Sequence, residues 1–80
     1  MYYLLTFDNT HKAIQVKKVL SRYMSIRTVP ILREISASCG ISIRIEEKDY
    51  DTLLKIINDH KLDNFDIYEI RRDKIYKLNK

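Results

Sequence analysis

Ile41-Ser42-Ile43-Arg44-Ile45-Glu46 alternates apolar and polar side chains without a break, the period of a β-strand, in which successive side chains leave opposite faces. The three isoleucines predict one face on a core. Ser42, Arg44 and Glu46 predict the other face turned away from it, so the strand is expected to be half-exposed.

Such a strand needs partners, and Tyr2 to Phe7 supplies one. Its residues are apolar on both faces (Tyr3, Leu5, Phe7 and Tyr2, Leu4), as in a central strand. Asp8-Asn9-Thr10 ends it, and Asn9 or Thr10 can accept hydrogen bonds from the free amides of a following helix. Ala13, Val16, Val19, Leu20 and Tyr23 recur at three- and four-residue spacing and predict that helix's buried face. Ser25 to Pro30 reads as a second strand, closed by the proline.

After the alternating strand, Asp49 to His60 reads as a second helix. Its apolar residues are Leu53, Leu54, Ile56 and Ile57. Asp49 and Asp51 stand near its positive end, with His60 and Lys61 near its negative end. Phe65 to Ile70 is a further strand, and Arg71-Arg72-Asp73-Lys74 turns into a short last strand, Ile75 to Leu78. The order β-α-β-β-α-β predicts an α+β, ferredoxin-like (split βαβ) fold: an antiparallel sheet with both helices on one face and a short extra C-terminal strand. With 80 residues, the expectation is one domain over 1–80.

No apolar stretch approaches the roughly 18 residues of a membrane span. The first residues lack the basic start of a signal peptide, so the expected place is the cytoplasm, with no membrane partner. A lone cysteine has no internal disulfide partner. Residues 1–40 carry six Lys and Arg against two acids, and residues 41–80 balance nine against nine. The basic excess of the first half suits nucleic acid, an anionic ligand or an acidic protein face without selecting among them.

Residues 31–40 join two strands that a hairpin would join with two to five residues. They hold the only cysteine and the only glycine of the chain, Cys39 and Gly40. Long connections in compact domains are disproportionately functional. Gly40 permits a positive φ and a close backbone approach, which lets nearby amides converge on an anion. A thiol reacts as the thiolate, and its free pKa of about 8.5 leaves a few per cent ionised near neutrality. Arg33, Ser36, Ser38 and Arg44 are the candidates to stabilise that anion by charge and hydrogen bonding. By themselves these residues leave a second reading open, in which Cys39 packs as a small buried hydrophobe and Arg33 and Glu34 form an exposed pair worth under about 1 kcal/mol.

The opening Tyr3-Leu4-Leu5-Thr6-Phe7 with Thr10-His11, and Pro30 with Arg33-Glu34-Ile35-Ser36-Ala37-Ser38-Cys39-Gly40, resemble the small bacterial domains described as putative selenium/sulfur carrier-like proteins. The likeness runs nearly end to end. It implies a functional cysteine at Cys39 beside Gly40, and a thiol that accepts sulfur or selenium from a donor enzyme and passes it to an acceptor. The implied partners are therefore proteins. The Cys-Pro-x-Pro motif of better-understood sulfur-relay proteins is absent from this sequence, so their mechanism is not carried over. A carrier needs no general base of its own, and the reading is a carrier or binding domain rather than an enzyme.

His11, in the first turn of the first helix, is an accessory candidate beside the thiolate. His60 is most simply a helix end matched to the dipole. Cys39, His11 and His60 have no paired ligand spacing, so no metal site and no cofactor is predicted. Competing readings are a nucleic-acid-binding module, supported by charge and by the habits of the fold, and a regulatory or assembly domain pairing with a second copy as a homodimer. Against nucleic acid, Ile41 to Glu46 lacks the rings that the RNA-binding form of this fold uses for stacking.

Overall fold

The computed structural model describes residues 1–35 and 40–78. The chain runs β1 (Tyr2–Phe7), α1 (Thr10–Leu20), β2 (Arg27–Pro30), β3 (Ile41–Glu46), a 3₁₀ turn (Glu47–Asp49), α2 (Tyr50–His60), β4 (Phe65–Arg71) and β5 (Lys74–Lys77). The strands form a five-stranded sheet in the order β2-β3-β1-β4-β5, and every neighbouring pair is antiparallel. This is the expected ferredoxin-like arrangement, with β5 added outside β4.

β1 lies at the centre because its residues are apolar in both directions: Tyr3 through Phe7 are all buried. Leu5 stands opposite Ile43 on one side and Ile67 on the other. Together with Val16 and Leu20 of α1 and Leu53 and Ile56 of α2, these residues form the main core. Leu5, Leu20, Ile45 and Leu53 are wholly excluded from solvent, and each such side chain contributes about 2 kcal/mol by burial. Both helices thus share one face of the sheet.

The helix ends follow from local chemistry. Asn9 Oδ1 accepts the Lys12 amide at 2.8 Å and caps α1, while Lys17 and Lys18 complement its carboxyl end. α2 carries Asp51 in its first turn and His60 in its last, and Lys61 terminates it in the left-handed region at φ 52°.

Three expectations are corrected. α1 stops at Leu20, so Tyr23 lies in the following turn and is 52% exposed, with its hydroxyl 3.1 Å from His60 Nε2. Leu54 is 42% exposed and does not join the core as Ile56 does. Ser42 faces away from the helices yet is 0% exposed, and its hydroxyl donates to the Val29 carbonyl at 3.3 Å. The sheet's second face is therefore partly covered, for a reason found in the β2–β3 connection. Smaller shifts concern strand starts: β2 begins at Arg27 rather than Ser25, and β5 at Lys74 rather than Ile75. The turn into β5 has no glycine, and Arg72 takes the positive φ, 50°, in its place.

Candidate functional site

The connection leaves β2 as a continued ladder, the Ile31 amide donating to the Gly40 carbonyl at 3.2 Å. It then turns, with the Ile35 amide donating to the Leu32 carbonyl at 3.0 Å. Arg33 and Glu34 project into solvent at this turn, while Ile35 is buried. Ile35 packs on Leu4 and Ile70, with Ile31, Leu32 and Val29 beside it, and forms a second core on the face opposite the helices. Residues 31–35 thus form an apolar flap folded over the sheet rather than the arm of a solvated hairpin. The sequence carried a signal for this in the apolar residues Ile31, Leu32 and Ile35, three in a five-residue run of a connection expected to be polar.

Between flap and sheet runs a groove of about 490 Å³. Leu4, Val29, Ile31 and Leu32 give it apolar surface, and Arg33 and Arg44 supply the charge. The Arg44 guanidinium lies 3.9 Å from the centroid of the Tyr2 ring, and its Nε donates to Glu46 Oε2 at 2.9 Å. The stack is worth about 0.5–1 kcal/mol at an exposed site, and it restrains a side chain that would otherwise be free. Arg33 is exposed and has no hydrogen-bond or ion-pair partner among the described residues.

On the other side of Arg44 a second cleft, about 330 Å³, is bordered by Arg27, Lys48, Glu46 and Asp49. The hydrogen bond from Arg44 holds the Glu46 carboxyl below its ordinary value, and the charges of Arg44, Arg27 and Lys48 act in the same direction. Arg44 is therefore the wall common to two cationic concavities.

Of the sequence-derived candidates, Arg33 and Arg44 come together in one groove. Ser36, Ser38 and Cys39 lie outside the described residues. Gly40 is exposed at the start of β3, its φ is not positive, and a Cβ there would meet nothing within 4 Å. The backbone at this position does not require glycine. His11 is exposed in the first turn of α1, with Nε2 3.4 Å from Gln15 Nε2. Because Thr6 pairs with Ser42, the end of β1 and the start of β3 occupy the same end of the sheet. His11 and Gly40 belong to that end.

Among the described residues no group of three His, Cys, Asp or Glu side chains is placed to hold a metal ion. No helix among them is long and apolar enough to cross a membrane. The model of one protein family, described as "Putative Se/S carrier protein-like", matches residues 2–69. β5 lies beyond that match. No curated protein and no solved structure matches the chain.

Proposed function

The chain belongs to the Se/S carrier protein-like family, and on that premise we propose that Cys39 is a sulfur or selenium carrier thiol serving protein partners in the reducing cytoplasm. The carrying observation is the family match over residues 2–69, which takes in the whole connection with Cys39 and Gly40. Two features of the described residues support it. Ile35, buried on Leu4 and Ile70, and Gly40, bonded to Ile31, anchor the chain on either side of the cysteine's segment. Arg33, with a guanidinium unpaired among the described residues, and Arg44 of β3 bring positive charge to the same groove.

The chemistry needs the thiolate, because the thiol is a poor nucleophile. Arg33 and Arg44 stabilise the anion by charge, and Ser36 and Ser38 add hydroxyl donors. Cys39 thiolate attacks the terminal sulfur of a donor enzyme's persulfide. The donor's sulfur–sulfur bond breaks, one forms on Cys39, and the donor departs as its thiolate. An acceptor nucleophile then takes the terminal sulfur and returns Cys39 to the thiolate, so no external oxidant or reductant is consumed. Selenium follows the same sequence with a selenium atom in the terminal position. His11, at the same end of the sheet, is an accessory group beside this exchange.

The test is incubation with a cysteine desulfurase and cysteine, followed by intact mass measurement. A gain of one sulfur atom, removed by dithiothreitol and absent in Cys39→Ser, is expected. An unchanged mass, or a gain that survives in Cys39→Ser, refutes the carrier reading. A pH series of alkylation rates tests the cationic surroundings separately: Arg33→Gln should raise the thiol pKa, and an unshifted value in both proteins removes Arg33 from the proposal.

A further inference from the structure

Among the described residues, the groove beside Arg44 combines an apolar lining with two cations and no carboxylate: Leu4, Val29, Pro30, Ile31 and Leu32 line it, and Arg33 and Arg44 are the only charged residues of that described lining. Its volume, about 490 Å³, falls in the range of clefts that hold a few side chains or a small ligand. Arg44 is already fixed by Tyr2 and Glu46, so it loses little further rotamer freedom when it engages a ligand. Glu46 takes its Nε, one nitrogen of a group with five N–H donors. Arg33 has no competing partner among the described residues.

We propose that this groove is a docking site for an extended segment of a partner protein carrying a carboxylate next to an apolar side chain. The apolar side chain occupies the floor between Leu4, Val29 and Ile31, and the carboxylate meets the guanidinium groups of Arg33 and Arg44. Charge complementarity selects this occupant: the protein carries a net charge of +4, and a positive field speeds encounter with acidic segments. A nucleic-acid strand fits less well, since the aromatic ring lining the groove, Tyr2, already has Arg44 against it where a base would stack. A membrane surface fits less well too, because these apolar residues line a concavity instead of projecting from the surface. The inference uses the two guanidinium groups that the proposed function also draws on, but its readouts, peptide affinity and amide shifts, are obtained with the Cys39 thiol unloaded and do not depend on sulfur or selenium transfer.

The experiment is selection of binders from a random peptide display library against the intact protein. Selected peptides should place Asp or Glu beside Leu, Ile, Val or Phe. They should shift the amide resonances of Val29, Ile31, Leu32 and Arg44. Affinity should fall about tenfold or more when the peptide acid becomes the amide, and likewise in the Arg33→Gln/Arg44→Gln protein. Leu32→Ser, which leaves the charge untouched, should weaken binding as well. Should the double variant fail to fold, Arg33→Gln alone decides, because Arg33 is exposed and unpaired among the described residues. Peptides without acids, no enrichment, resonance shifts elsewhere, or undiminished binding to a folded variant overturn the proposal. Displacement of the peptides by hexanoate at equal affinity also overturns it, in favour of a small amphiphilic carboxylate.

Discussion

Arg27 stands directly opposite Arg44 in the register of β2 and β3, so two cations share one cross-strand position. Like charges so placed destabilise a sheet by roughly 0.2–1 kcal/mol. Arg27→Thr should therefore raise the urea midpoint by an amount equivalent to about 0.5 kcal/mol with an unchanged slope, and more at low salt. A lowered midpoint would show that Arg27's attraction to Glu46 outweighs its repulsion from Arg44.

Glu46 adds an acid-dependent contribution. Its folded pKa lies below the ordinary value of 4.5, through the Arg44 hydrogen bond first. Its contribution is present in full above the unfolded pKa, and is lost as pH falls through the lowered folded value. Glu46→Gln should be less stable than the parent at neutral pH, and the gap should close in strong acid. A gap of constant size across that titration rules the linkage out.

Ile35, 6% exposed, holds the flap to Leu4 and Ile70. Ile35→Ala should cost about 2–3 kcal/mol and accelerate amide hydrogen exchange at Ser42. If the loss stays below about 0.5 kcal/mol, the ordinary scale of a surface change, the flap is not part of the cooperative unit.

Lys61 and Arg72 hold φ of 52° and 50°, where a side chain costs roughly 1–2 kcal/mol and glycine is free of the clash. Lys61→Gly and Arg72→Gly should each stabilise by about 0.5 kcal/mol, since glycine's greater unfolded-state entropy offsets part of the gain. Thermal melts of both variants check this, and a fall in midpoint would refute it.

Tyr3 stacks on Tyr50 with ring centroids 4.0 Å apart, and burial raises its phenol pKa, with a further push from nearby Glu69. The raised folded value means that the stabilisation is complete below the unfolded pKa of about 10 and disappears as pH climbs through the folded one. Tyr3→Phe should therefore flatten the alkaline limb of the stability curve. Ultraviolet titration should show one of the six tyrosines ionising late, and six coincident titrations would contradict the assignment.

Much of the sheet was legible because periodicity reports faces. β1 and β3 have the limits that their patterns indicate, and the split βαβ order follows from element order alone. Periodicity does not report what covers a face, which is why Ser42 was expected in solvent and is buried. Ile31, Leu32 and Ile35 are a weak signal in sequence because they are interspersed with and followed by polar and reactive groups, Arg33, Glu34, Ser36, Ser38 and Cys39. Arg33 and Arg44 meet in one groove only because the flap folds back, and that depends on contacts between Ile35 and Ile70, distant in sequence. Register is likewise invisible in one chain's composition, and the Tyr2–Arg44 stack depends on the register of β1 and β3.

By joining the sheet outside β4, β5 converts a seven-residue strand into an interior one and hands the rim to a four-residue ribbon. That ribbon carries Lys74 and Lys77, while the opposite rim, β2, carries Arg27 and ends at Pro30. Two such molecules brought rim to rim meet cation against cation over a short run of backbone, so stacking into fibres by sheet extension is disfavoured even in a crowded solution.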